Sequence, residues 1–181
     1  IINLHQTNNL YKHIWITVYE TLISFSLGTI IGIIIATILF LIPTIDKILD
    51  PYLIVLNALP KTALAPILII WAGTNIKGIV VVAISLNLII TIISTLTYFK
   101  TVDQNLIKML KTMNATPLQI LFKLVIPANL ANIISLIKIN IGMSWVGVIV
   151  GEFIISKEGI GYLIMYGSQI FKMSLVMMGV L

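Results

Sequence analysis

The sequence contains no cysteine, which excludes disulfides, thiolate metal sites and thiol nucleophiles and leaves the redox compartment open. Arginine is absent too, so every fixed positive side-chain charge is a lysine. Charge of either sign is scarce: it accounts for 9% of the 181 residues, where soluble domains carry about a quarter. A water-facing surface cannot be covered with so few. Hydrophobic residues make up 59% and mean hydropathy is +1.12, so the solvent this chain requires is the lipid bilayer. At roughly 20 apolar residues per span, the length suffices for about four or five spanning helices and their connections.

The net charge of +5 would raise the question of nucleic acid in a soluble protein. Here the lysines sit between apolar runs, and topology accounts for them, because lysine is held on the cytoplasmic side of a membrane. No nucleic-acid partner is implied. A Walker A pattern, glycines followed by Gly-Lys-Ser/Thr, is missing, so the chain has no nucleotide site of that kind and no catalytic residues are assigned. His5 and His13 are too isolated to suggest a metal. The chain starts at Ile1 and ends at Leu181 inside an apolar run, without a signal peptide. It reads as one transmembrane domain over 1–181, a fragment lacking material at both ends.

Thr21 to Ile45 is free of charge and predicts a full span. Gly28, Gly32 and Ala36 recur every four residues along it and line one face with small side chains, so another helix can approach closely. Asp46, Lys47 and Asp50, between Pro43 and Pro51, predict a polar turn. The next apolar stretch, about 52–72, is interrupted by Pro60, Lys61 and Pro66. Each proline removes a backbone hydrogen bond, and in lipid the freed groups need protein or cavity water, which places this helix inside the bundle. A third span is expected over about 79–99 and a fourth over about 133–152, the latter with Gly147 and Gly151 four apart. Residues 153–172 are too rich in Gly, Ser and charge to span. Tyr162, Tyr166 and Phe171 mark them as interfacial, and Met173 begins a last span.

Residues 100–127 differ in kind. Lys100, Lys108, Lys111 and Lys123 against Asp103 place this loop in the cytoplasm. Leu106, Met109, Leu110 and Met113 form one apolar stripe at helical spacing, and Leu118, Leu121, Phe122 and Val125 form another. Between them, Asn114 stands where a helix needs a left-handed terminating residue. Thr116 precedes Pro117, suited to a first helical position, and lies three residues before Gln119, the spacing of a capping box. Local chemistry predicts two short helices joined by a rigid elbow.

The stretch Asn114-Ala115-Thr116-Pro117-Leu118-Gln119, closed by Ile126-Pro127, resembles the cytoplasmic signature loop of the permeases of ATP-binding-cassette (ABC) importers. That signature reads Glu-Ala-Ala, three residues, Gly, then a spacer to a closing Leu-Pro or Ile-Pro. Counting back from Pro127 puts Asn114 on the glycine and Lys108, Met109 and Leu110 on the Glu-Ala-Ala triplet, which is absent. Leu59-Pro60-Lys61-Thr62-Ala63-Leu64-Ala65-Pro66 with Trp71-Ala72-Gly73 is similar to the nitrate/sulfonate/taurine branch of that family. So are Trp145, Val150-Gly151-Glu152 and Gly159-Ile160-Gly161-Tyr162-Leu163-Ile164.

The resemblance implies an all-α polytopic protein of the bacterial inner membrane. The expected fold is a type I importer bundle with about five spanning segments and a coupling helix within about 100–127. It implies a second permease chain, identical or different, a separate ATPase subunit that binds the ATP, and an extracytoplasmic solute-binding protein. The permease itself would carry no cofactor. Met113, Asn114, Ala115, Thr116, Pro117, Leu118, Gln119 and Phe122 would form the ATPase-coupling surface. The solute would be a small anion or a related small organic such as a vitamin precursor.

Other polar positions have two readings each. Asn57, Ser85, Asn87, Asn140 and Ser144 face a solute or hydrogen-bond between helices. Lys61, beside Pro60, attracts an anion or snorkels to the surface. Glu152 is a functional acid or an interfacial cap paired with Lys157. A secondary transporter is the competing function, suggested by the broken second helix. It predicts inverted repeats and midplane carboxylates, of which only Glu152 is a candidate.

Overall fold

The structure is a computed structural model that describes residues 9–180; His5 lies outside them. The described residues are helical with no strand. The elements are α1 (Asn9–Leu41), α2 (Pro43–Ala58), α3 (Ala65–Ala72), α4 (Ile76–Lys100), α5 (Gln104–Thr112), α6 (Pro117–Ala128), α7 (Leu130–Ile155), α8 (Ile160–Gln169) and α9 (Met173–Val180). Among the described residues, three stretches are long and apolar enough to cross a membrane: Leu10–Leu41, Ile76–Lys100 and Leu130–Ile155.

The chain divides into two compact units. The first holds Ile1–Gly28, Pro60–Asn87 and Ile141–Leu181; the second holds Thr29–Leu59 and Leu88–Asn140. Each of the three long helices contributes a stretch to both. In the first unit, a Cβ added at Gly147 would stand 2.5 Å from the Ala83 Cα and one at Gly151 would stand 3.0 Å from the Ile79 Cα. The small residues of α7 thus let it lie directly on α4. In the second unit, Gly32 does the same against Thr91, and Ala36 is fully buried with Ile92 and Leu96. The four-residue spacing of small side chains has become close helix contact within one chain.

Several boundaries differ from the sequence expectations. The first span starts by Asn9 and ends at Leu41; Lys12 and His13 lie within the helix, paired with Glu158 and with the Gly159 N–H. The expected turn at 46–50 is instead the body of α2, with Pro43 in its first turn and Pro51 inside it. Asp46 is buried there and pairs with Lys100 at 2.7 Å, so the charges support a helix. The stretch around Pro60 is not enclosed within this chain: Tyr52, Ile54, Val55, Ile70 and Trp71 are all well exposed. The Thr62 carbonyl, which Pro66 leaves without its helical donor, accepts the Ala65 N–H at 3.3 Å, so that group is met locally.

Pro127 does not end its helix either. The turn widens over Leu121–Val125, where the Ile126 N–H reaches back to the Leu121 carbonyl, and the chain passes Pro127 before breaking at Asn129. A widened turn relieves the clash and absorbs the missing donor.

Candidate functional site

The elbow between α5 and α6 is built from local bonds. The Asp103 side chain accepts the Asn105 N–H at 2.8 Å and starts α5. At its other end Asn114 has φ of 58°, and the chain closes with Ala115 N–H to the Leu110 carbonyl and Asn114 N–H to the Lys111 carbonyl, both 3.0 Å. These are the two bonds of a Schellman stop, with Asn114 at its left-handed position. Two residues on, the Thr116 hydroxyl accepts the Gln119 N–H at 3.3 Å and the Gln119 Oε1 accepts the Thr116 N–H at 2.8 Å. Pro117 occupies the first helical position. A stop and a start separated by one residue leave the chain few conformations.

The elbow is anchored on one side only. Ile107, Ile120, Leu121 and Val125 are buried with Phe99 and Val102, and Phe40 meets Phe99 edge to face at 5.5 Å. On the other side Met109, Met113, Leu118 and Phe122 stand exposed, Met113 at 71% and Phe122 at 65%. Each predicted stripe is therefore divided. Leu110, Leu121 and Val125 turn inward to varying depth, while Leu106, Met109, Met113, Leu118 and Phe122 face out. Periodicity alone cannot say which of two apolar faces meets the core. Asn114, Thr116, Pro117 and Gln119 are exposed as well, and Ala115 is half-buried. A cavity of about 190 Å³ lies under the elbow, lined by Phe40, Leu41, Pro43, Ile107, Lys111 and Pro117, among others.

The polar residues of the long helices form cross-helix bonds. In the first unit the Asn87 Nδ2 donates to the Ser144 Oγ at 2.6 Å and to the Ser24 carbonyl at 3.2 Å. In the second, the Asn140 Nδ2 donates to the Thr91 Oγ1 at 2.8 Å and to the Thr29 Oγ1 at 3.0 Å. Asn87, Asn140 and Ser144 are fully buried. Ser85 is half-buried and donates to a carbonyl of its own helix, that of Val82. Asn57 and Pro60 are exposed and Lys61 is half-buried.

Glu152 is 1% exposed; its carboxylate accepts the Thr17 hydroxyl and the Gly161 N–H, both at 2.6 Å. From this buried position it caps the start of α8. Sequence reasoning missed Thr17, whose hydroxyl completes this cluster, and Glu20, buried one turn further along α1. The available signal was their i, i+3 spacing, which puts both on one face of α1.

A broken helix beside long spans fits more than one transporter class, and the comparison with known proteins separates them. Residues 28–181 match the family model described as binding-protein-dependent transport system inner membrane component. The chain belongs to that family. Its members are inner-membrane transport components and not enzymes, and the secondary-transporter reading falls away. Among individual relatives, a probable ABC transporter permease protein of Haemophilus influenzae is 28% identical over 92% of this chain and 68% of its own length. The putative aliphatic sulfonates transport permease protein SsuC of Bacillus subtilis is 28% identical over 97% and 63%. The formylaminopyrimidine transport permease protein ThiX of Halalkalibacterium halodurans is 26% identical over 84% and 61%. The chain thus spans a little under two thirds of the length of the last two.

Proposed function

We propose that this binding-protein-dependent permease provides the membrane pathway of an ABC importer and receives the stroke of a separate ATPase at the α5–α6 elbow. One observation carries the reading: a doubly capped, rigid elbow whose outer face is apolar and uncovered by this chain. An apolar face of Met109, Met113, Leu118 and Phe122 beside Lys108 and Lys111, held by a rigid capped elbow, suits a protein groove that accepts a short amphipathic helix. Met113 through Gln119, with Phe122, are the coupling residues.

In the bilayer, the broken pair α2–α3 and helix α9 supplement the three long spans and bring the count to about five. The exposed apolar residues of α2 and α3 leave room for a second permease chain, and an extracytoplasmic binding protein delivers the solute. Relatives named for aliphatic sulfonates and formylaminopyrimidine favour a small anion or small polar organic as cargo. Asn57, Pro60 and Lys61, at and beside the break between α2 and α3, are the pathway positions this reading favours. Ser85, Asn87, Asn140, Ser144 and Glu152 also form bonds within or between helices.

The test is affinity capture of the full-length permease from mild detergent, with bound proteins identified by mass spectrometry. The expected result is recovery of a Walker-motif ATPase that is lost when Thr116 and Pro117 are both replaced by glycine. In reconstituted vesicles the same double change should leave insertion intact and uncouple ATP hydrolysis from uptake. Normal uptake by the variant would show that the elbow is not the coupling element.

A further inference from the structure

In the first unit a cavity of about 470 Å³ lies between α1, the start of α4 and the turn that follows α7. Small-molecule sites usually measure roughly 300–1,000 Å³, so it has room for a small solute. Isoleucines of all three helices line it, and its polar wall includes Glu20, Asn75, Ser156, Lys157 and Glu158. The walls are fixed. The Ser156 hydroxyl and the Glu158 backbone bond to each other within the turn. The Gly159 N–H donates to the His13 Nδ1 and the Ile160 N–H to the Thr17 Oγ1, both at 2.8 Å, which ties the turn to α1. The Asn75 side-chain oxygen accepts the Lys77 N–H at 3.1 Å and holds the start of α4. A cavity built this way binds without first ordering its walls.

Two of the acids in this unit are committed within the chain. Glu158 pairs with Lys12, and Glu152 accepts a donor at each of its oxygens. Glu20 differs. It is 1% exposed, it borders the cavity, and its Oε2 is buried with no hydrogen-bond partner. A buried acceptor left without a donor is costly, and in a native structure it points to a donor supplied from outside the chain. Lys157, on the same cavity, is exposed, and among the described residues no ion pair joins it to an acid. Glu20 and Lys157 are thus the two lining charges that the fold leaves uncommitted, and they are of opposite sign.

We infer that this cavity binds a small zwitterion, with its ammonium group at Glu20 and its acid group at Lys157. An ammonium brings both the N–H donor and the countercharge that a buried carboxylate requires, and a simple anion brings neither. A carboxylate or a sulfonate serves the other end, since each presents anionic oxygens to the three donors of a lysine. The isoleucines accommodate the short carbon chain between the two charges. With the lysine-rich loop in the cytoplasm, the start of α4 and the end of α7 are the extracytoplasmic ends of their helices. The cavity therefore lies on the side from which a binding protein delivers its solute. The inference rests on the importer reading for that delivery and narrows its cargo, with Glu20 the residue that selects for the ammonium.

The test measures binding directly, by calorimetry on the full-length permease in detergent with no ATPase present. The probes are the zwitterions 2-aminoethanesulfonate and β-alanine, then ethanesulfonate and propionate without the ammonium, and ethylammonium without the acid. At least one zwitterion should bind about tenfold or more tighter than its halves, the difference expected from one charge-assisted hydrogen bond. The stronger of the two tells a sulfonate cargo from a carboxylate one. E20Q keeps the shape of the side chain; it should weaken the zwitterion by about tenfold and leave the plain anions within about twofold. K157Q should weaken zwitterion and plain anion alike. No binding of either zwitterion, an anion that binds as tightly as its zwitterion, or zwitterion binding unchanged in E20Q would each overturn the site. The comparison of probes on the wild type stands even if E20Q fails to fold. Capture of an ATPase without zwitterion binding removes this site alone, whereas zwitterion binding without an ATPase removes the importer reading.

Discussion

The elbow at Asn114–Gln119 and the cluster at Glu152 are both polar constructions that start a helix, and they do so by opposite means. At the elbow every capping bond closes within five residues: Asn105 on Asp103, Ala115 on Leu110, Gln119 on Thr116. At the cluster, the bonds from His13 and Thr17 to Gly159, Ile160 and Glu152 cross 135 to 146 residues. The capping bonds of the elbow are exposed and close between near neighbours, while its inner face packs on Phe99 and Val102. The cluster is buried and exists only when three helices are assembled. An element meant to meet another protein is best preformed, since ordering it on contact would cost affinity. An element meant to hold the fold together needs no shape of its own.

Substitutions can set the two constructions against each other, beginning with the most damaging. Gly161→Val forces a branched side chain into the Glu152 carboxylate. It should lower the stability of the full-length chain by about 3 kcal/mol or more, read as a drop in the melting temperature in detergent. Asn114→Val puts a β-branched residue in a left-handed position and should cost about 1–2 kcal/mol, while Asn114→Gly should lie within a few tenths of wild type. Amide exchange at Asn114 and Ala115 separates the two variants. Thr116→Ala removes one half of the capping box at a cost of about 1 kcal/mol, visible as faster exchange at Gln119 with 159–161 unchanged. The smallest effect on stability is expected for Phe122→Ala, within about 0.5 kcal/mol because the ring is exposed in this chain. That variant should nonetheless reduce capture of the ATPase. If Phe122→Ala destabilises the isolated chain as much as Gly161→Val does, the outer face of the elbow is core and not a docking surface.

Legibility followed the same division. The left-handed Asn114, the Thr116/Gln119 box and Pro117 at a helix start could be read from residue order, because each bond partner is a near neighbour. The packing of Gly28, Gly32, Gly147 and Gly151 was legible as close approach, since small residues four apart share a face whatever they meet. The division of the two stripes was not, because Leu106, Ile107, Leu110 and Leu121 are equally apolar and only packing ranks them. Nor was α2, where Asp46 and Lys47 next to two prolines have the composition of a turn. The Asp46–Lys100 pair that favours the helix lies 54 residues apart in the chain.

By itself the sequence determined the solvent, the long apolar spans, the lysine-rich loop and the stop-and-start chemistry of its elbow. These depend on hydropathy and on bonds between residues a turn or two apart. Only the tertiary structure decided which face of each helix is inside. It also decided that Pro127 is passed by a widened turn, and that Thr17 and His13 converge on Glu152 and the start of α8. The reason is physical: a buried polar group must find its partner wherever assembly places one, and nothing in its own neighbourhood along the chain names that partner.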